Sequence, residues 1–168
     1  MAHDSKIQQT IPLQIVSQGD LHRVKRELRS LDDYIKQAQL RQPGTPLERL
    51  PKTSRSLNDL ATLNKLNLLS EEDREKTGTF LDQLIDHGPV VNVSFATDPS
   101  SAFMVKLTAW FRENIDPLIM VNVGLEPTIA AGCIVRTDNK LHDFSLRRHF
   151  SAQRPLLLSK IRGATKPA

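Results

Sequence analysis

The stretch VVNVSFA at residues 90–96 decides the fold class, because its apolar residues alternate whereas the segments before it repeat with a helical period. Val91, Val93 and Phe95 fall on one face of an extended chain, a pattern typical of a half-buried β-strand. The break His87-Gly88-Pro89 separates this strand from the helix before it. We therefore predict an α+β protein in which a helical N-terminal region is followed by a small mixed domain.

The first predicted helix carries an apolar seam. Asp20 is its expected N-cap, and the apolar residues that follow are spaced alternately by three and four positions, as in a coiled coil. Two alternatives follow from this spacing: the seam pairs with another chain, or it packs on the protein's own core. The seam consists of Leu21, Val24, Leu28, Leu31, Ile35 and Ala38.

The rest of the N-terminal half contains two more predicted helices and two irregular segments. The helices cover residues 54–66 and 70–86, and the second begins with a capping box at Ser70. Residues 11–16 (IPLQIV) predict a short edge strand, because the proline within it cannot donate a ladder hydrogen bond. Three prolines and a glycine between residues 41 and 53 indicate a hinge or linker.

After the first strand the sequence predicts a helix capped by Asp98 or Ser100. Its buried stripe is predicted to be Phe103, Leu107, Trp110 and Phe111. The remaining elements are a strand at residues 117–125, a hairpin of residues 129–135 and 140–144, and a helix that begins near Ser145. The chain is thus divided into an N-terminal helix and linker at 1–53, a helical pair at 54–88, a small α/β domain at 89–155 and a basic tail at 156–168.

Positive charge is concentrated at the C-terminus. The net charge is +4, but residues 144–168 contain six basic residues and no acid, so that segment carries +6 and the remainder −2. A cluster of this kind predicts an acidic partner near the C-terminus. Nucleic acid, an anionic membrane face and an acidic protein helix all remain open as that partner.

The sequence predicts a protein inside the cell. No apolar run approaches the ~20 residues that cross a bilayer, and the start MAHDSKIQQT lacks the order of a secretory signal. Cys133 is the one cysteine, which excludes a disulfide framework and fits a reducing compartment. Because it lies in an apolar strand, we interpret it as a small buried hydrophobe.

No catalytic, cofactor or metal site is predicted. His142 and His149 do not have the spacing of a familiar metal site. Asp143, Ser145 and Arg147 stand at the junction of the hairpin and the last helix, where a helix cap explains them better than an active site. A glycine-rich phosphate loop is missing from the sequence, so nucleotide binding is not expected.

The segment EPTIAAGCIVRTDNKLHDFSLRRHF at residues 126–150 resembles the C-terminal signature of the delta subunit family of F-type ATP synthases, which includes the mitochondrial oligomycin-sensitivity-conferring protein. The chain departs from this family at Ala131, where a second glycine is usual, and at Phe144, where glycine is favoured. The resemblance covers roughly residues 57–150, and the N-terminal region is shorter than the family's six-helix bundle. The matching residues are Glu126, Pro127, Thr128, Ile129, Gly132, Val135, Arg136, Lys140, Asp143, Ser145 and Arg147.

The resemblance implies a non-catalytic stator subunit at the cytoplasmic face of the cell membrane. Such a subunit joins the catalytic head of the synthase to its membrane sector and supports proton-driven ATP synthesis without a cofactor. Its implied partners are the b-type stalk subunits and the alpha subunits of the head. The expected stalk contacts are Leu146, Arg147, Phe150 and the basic tail, and the seam residues Leu21, Val24, Leu28, Leu31 and Ile35 are expected to take over part of the docking on the head.

A small nucleic-acid-binding module is the alternative interpretation. Arg147, Arg148 and Arg154 lie close in sequence to Phe150, and basic residues interleaved with aromatic ones can hold phosphates and stack on bases.

Overall fold

The computed structural model describes residues 9–41, 51–137 and 139–164. The α+β prediction is confirmed, and the elements after residue 89 follow the predicted order of strand, helix, strand, hairpin and helix. The elements are α1 (Gln18–Arg41), α2 (Arg55–Leu63), α3 (Glu71–His87), β1 (Val90–Phe95), α4 (Ser101–Asn114), β2 (Met120–Leu125), a 3-10 helix (Pro127–Ile129), β3 (Cys133–Arg136), β4 (Leu141–Asp143) and α5 (Leu146–Ala164). The predicted linker at 41–53 lies for the most part outside the described residues.

The chain divides into two compact units. A helical unit comprises Met1–Pro89 and Met104–Met120, and a sheet unit comprises Val90–Phe103 and Val121–Ala168. The boundary between Pro89 and Val90 lies one residue after the predicted boundary between residues 88 and 89. However, most of α4 belongs to the helical unit, although the sequence interpretation placed this helix in the domain at 89–155. Chain order alone does not reveal on which core a helix packs.

The seam of α1 is buried in the core of the helical unit. There α1 packs on α3 and α2, and the apolar residues Leu57, Leu60, Leu81 and Leu84 of those two helices are almost fully buried. Of the two alternatives, the structure therefore shows that the seam packs on the protein's own core. The prediction that the seam contacts a partner is corrected accordingly, because none of its five main side chains is more than 4% exposed: Leu21, Val24, Leu28, Leu31 and Ile35.

The capping of α1 and α3 differs from the predicted capping. Asp20 is not the N-cap of α1 as predicted. Instead Ser17 caps the helix: its Oγ accepts from the amide of Asp20 (3.3 Å), while Asp20 Oδ2 accepts from the amide of Ser17 (3.1 Å). This reciprocal pair is a capping box shifted by three residues from the predicted start. Ser70 does occupy the N-cap of α3, but its side chain makes no capping hydrogen bond, so the predicted capping box there is wrong.

The predicted strand at residues 11–16 is also wrong. The segment is irregular, with a turn at Leu13 and Gln14. Its carbonyl groups are satisfied by a side chain instead of a neighbouring strand: the Arg112 guanidinium donates to the carbonyls of Ile11 (3.3 Å), Pro12 (2.9 Å) and Ile15 (2.6 Å). Burial lowers the pKa of Arg112 to about 10.

The buried stripe of α4 is rotated relative to the prediction. Met104, Thr108 and Phe111 are buried, whereas Phe103 and Trp110 are 46% and 54% exposed. The predicted cap is confirmed at Ser100, whose Oγ accepts from the amide of Phe103 (3.3 Å).

The four strands form one sheet in the order β2-β1-β3-β4. β3 pairs antiparallel with both β1 and β4, in registers that place Val93 opposite Val135 and Val135 opposite His142. The predicted hairpin is therefore confirmed as β3 and β4, although both strands are shorter than expected. β3 begins later than predicted because Ile129 lies in the 3-10 helix. At the end of the hairpin the chain enters α5, which continues past the predicted domain end at residue 155 with Pro155 inside it.

Candidate partner-binding site

The start of α5 is held by two side chains at the end of the hairpin. Ser145 Oγ accepts from the amide of Arg148 (3.2 Å), and Asp143 Oδ1 accepts from the amide of Ser145 (2.8 Å). Hydrogen bonds that Asp143 accepts from the side chain and the backbone amide of Ser145 lower the pKa of its carboxyl group. The predicted cap is thus confirmed. At this cap Arg148, rather than Arg147, donates a hydrogen bond to the carbonyl of Asp143 (3.3 Å).

Backbone contacts tie the same junction to the turn that precedes β3. The amide of Phe144 donates to the carbonyl of Cys133 (2.9 Å), and the amide of Leu146 donates to that of Ala131 (2.8 Å). Gly132 has a φ of +90°, and a Cβ on it would overlap the carbonyl oxygen of Phe144 and approach the Cα of Ser145 to 3.2 Å. Glycine is therefore required at position 132 for both conformation and space.

The two departures from the delta signature are accommodated without backbone strain. Neither Ala131 nor Phe144 has a positive φ, so neither position demands glycine. The side chain of Phe144 is exposed and stacks on His142, with ring centroids 6.1 Å apart and 13° between the planes.

The surface of α5 combines apolar and basic side chains. Leu146, Phe150, Arg154 and Leu158 follow one another at intervals of four residues, so each lies beside the next in a row that winds slowly around the helix. We call these four residues the α5 row. Leu146, Phe150 and Leu158 are 39%, 52% and 43% exposed, which is unusual for large apolar side chains placed together. Arg147 is exposed beside the row, and α5 contains no acidic residue.

Leu146, Arg147 and Phe150 are thus brought together by the structure on one exposed helix, as the sequence interpretation expected. Leu158 was not predicted individually, because the sequence interpretation placed it in the basic tail at 156–168. In the structure α5 continues through Pro155 and includes Leu158. The stacking of His142 on Phe144 was also not predicted. Residues two positions apart in an extended chain lie on the same face, so the sequence could have indicated this pair.

The helical unit has its own exposed apolar surface, which does not involve the seam. Leu13 and Leu63 are exposed and line a groove with Pro117, and the carboxyl groups of Asp59 and Glu113 stand at the same groove. The Arg112 side chain also lines this groove. The groove therefore carries charges of both signs, whereas the described residues of α5 carry only basic charges.

The cysteine and the possible metal ligands do not form a reactive site in the described part of the chain. Cys133 is half-buried in β3, and burial raises the pKa of its thiol, which disfavours the thiolate. Across the described ranges, no three His, Cys, Asp or Glu side chains are grouped so that they could hold a metal ion.

In the part of the chain that the structure describes, none of the helices has the length and apolar character needed to cross a membrane. Neither the models of known protein families nor the curated proteins compared with this chain include one that matches it.

Proposed function

We propose that this chain is a non-catalytic stator subunit of an F-type ATP synthase, similar to the delta subunit, and that it acts at the cytoplasmic face of the cell membrane as part of the complex. The observation that carries the proposal is the position of the signature residues. Gly132, Asp143 and Ser145 surround the start of α5, and α5 presents apolar and basic side chains that its own unit leaves exposed.

The work of such a subunit is binding. The rotating shaft of the synthase drags on the catalytic head, so a static connection must hold the head against the membrane sector. That connection needs two binding surfaces on one chain. The α5 row and the groove beside Leu13 and Leu63 supply an apolar surface in each unit, with basic residues beside the row and two carboxyl groups and Arg112 at the groove.

We assign the α5 row to the b-type stalk subunits and the groove of the helical unit to the alpha subunits of the head. Burial of Leu146, Phe150 and Leu158 against an apolar helix face would contribute the larger part of the binding energy. Arg147 and Arg154 would favour a partner with acidic residues and would speed its association.

The proposal is tested with purified components. The chain is immobilised, and its binding to the soluble segment of the b-type subunit and to the assembled head is measured separately. Phe150→Ala is expected to weaken stalk binding ~10-fold or more, because exposed aromatic residues at the centre of an interface are frequent hot spots. Head binding should stay unchanged.

Trp110→Ala is the matched control, because Trp110 is an aromatic residue of similar exposure in the other unit. It should leave stalk binding intact. A wild-type chain that binds neither component would contradict the stator proposal.

Nucleic-acid binding is the second candidate, and the stacked pair His142 and Phe144 favours it. His142 lies in the edge strand β4 and Phe144 directly follows that strand; both rings are exposed, and Lys140 stands two residues before His142 in the sequence. Exposed aromatic residues beside cations are able to stack on unpaired bases. Retention of single-stranded RNA that falls steeply with salt and is abolished in Phe144→Ala would support this candidate over the stator.

A further inference from the structure

The residues around the start of α5 form a continuous connection between the hairpin and the helix. Asp143 binds the amide of Ser145, Ser145 binds the amide of Arg148, and the amide of Leu146 binds the carbonyl of Ala131. Each of these hydrogen bonds acts on the last residues before α5 or on its first turn. Together they restrict the direction in which the helix leaves the sheet.

Gly132 allows this connection to close. The backbone of Phe144 and Ser145 lies so near its Cα that any side chain would push the junction away from the turn at 130–132. The same turn carries the carbonyl of Ala131 that receives the Leu146 amide. The 3-10 helix before it also contacts α5, and its Ile129 is buried. Displacing the junction would therefore break several contacts at once.

The described side chains of α5 lie at the surface of their unit. None of them is buried, whereas Ser145, immediately before the helix, is only 5% exposed. The direction of a helix whose described side chains are exposed depends strongly on the contacts at its start. Leu158 lies twelve residues beyond Leu146, so at a rise of ~1.5 Å per residue a small change in the angle of the helix at Ser145 moves Leu158 by several ångströms.

We propose that Gly132, Asp143 and Ser145 are positioning residues, which set the direction of α5 relative to the β3–β4 hairpin and so determine how the α5 row meets its partner. This inference rests on the proposed function, because it concerns binding through the same helix. In this proposal the three signature residues orient α5, and the residues of the α5 row contact the partner.

The test compares two serine caps that are alike in geometry. Ser145 Oγ lies 3.2 Å from the amide of Arg148, and Ser54 Oγ lies 3.3 Å from the amide of Leu57 at the start of α2. Ser145→Ala and Ser54→Ala each remove one capping hydroxyl, so both are expected to lower the melting temperature by a similar few degrees. Ser145→Thr keeps a hydroxyl and serves as the rescue variant.

Two readouts separate positioning from stability. The first is the distance between spin labels at Thr137→Cys and Lys160→Cys in a Cys133→Ser background, measured by electron paramagnetic resonance without any partner. Ser145→Ala and Gly132→Ala should broaden this distance distribution, and Ser54→Ala should not.

The second readout is binding to the soluble segment of the b-type stalk subunit. If α5 keeps its direction for about a tenth of the time, the apparent affinity falls ~10-fold in Ser145→Ala and recovers in Ser145→Thr.

The outcomes are distinguishable. An unchanged label distance in both Ser145→Ala and Gly132→Ala would overturn the inference whatever the partner is. Equal affinities for Ser145→Ala and Ser54→Ala would also overturn it, since a merely structural cap predicts equality. A wild-type chain that fails to bind the stalk segment would overturn the proposed function, and with it the link to the partner, while the label distances still decide whether these residues direct α5.

Discussion

Replacing Arg112 by methionine should destabilise the helical unit. Arg112 donates to four backbone carbonyls, three in the irregular segment before α1 and one at Ile119 (3.2 Å). Methionine keeps most of the aliphatic volume but leaves those carbonyls without this donor. Ile11 and Ile15, which that segment inserts into the core, would lose their attachment.

The expected loss in the free energy of unfolding follows from the two shortest hydrogen bonds of Arg112. The guanidinium lies 2.6 Å from the carbonyl of Ile15 and 2.9 Å from that of Pro12, and two charge-assisted hydrogen bonds of this quality contribute ~3–4 kcal/mol together. Burying the cation opposes this gain, and the lowered pKa of Arg112 has the same physical cause. We therefore expect a net loss of ~2 kcal/mol in the free energy of unfolding at neutral pH.

The assay is urea denaturation followed by the fluorescence of Trp110, the one tryptophan of the chain, which lies in the helical unit beside Phe111. Arg55→Met is the control, because the side chain of Arg55 is 84% exposed and forms only a 3.6 Å ion pair with Asp59. That control should change stability by less than ~0.5 kcal/mol. Equal stability of the two variants would refute the reasoning.

Leu28→Ala should cost ~2–4 kcal/mol because it opens a cavity in the core of the helical unit, and light scattering should show the same oligomeric state as the wild type. A change in oligomeric state at equal stability would mean that the seam pairs with another chain. Asp32 is bonded by Lys36 and Arg74, which lower the pKa of its carboxyl group below the ordinary value of 3.8. A lowered pKa stabilises the fold above pH 3.8, and this contribution is lost as the pH falls from there through the pKa of the folded state. Acid titration of Asp32→Asn should therefore show a smaller loss of stability over that range, and a curve parallel to that of the wild type would contradict the assignment.

Much of the fold was predictable because the signals are local. Alternation marked β1, the turn residues marked the hairpin, and the spacing of Asp143 and Ser145 marked the cap of α5, all of which the structure confirms. Hydrogen bonds within a few residues decide such features, so the neighbouring sequence carries most of the information.

The wrong predictions concern features that depend on distant residues. Residues 11–16 have the composition of a strand, but their carbonyls bind Arg112, about a hundred positions away in sequence. The buried face of α4 is turned towards Met104 and Thr108 because apolar residues occur around most of that helix, and only the core on which it packs selects one side. In the candidate site, the sequence identified Leu146, Arg147 and Phe150, but the extension of α5 beyond Pro155 brings Leu158 into the same row.

The sequence by itself determined that α1 and α5 are amphipathic helices and that the C-terminal end is basic, since periodicity and charge are properties of the chain. Only the tertiary structure decided which apolar face is already covered. The seam of α1 is filled by α2 and α3, whereas the row on α5 stays exposed within its own unit. The physical reason is that the same spacing of apolar residues suits burial within one chain and binding to another, and the difference lies in whether the rest of the fold supplies a complementary surface.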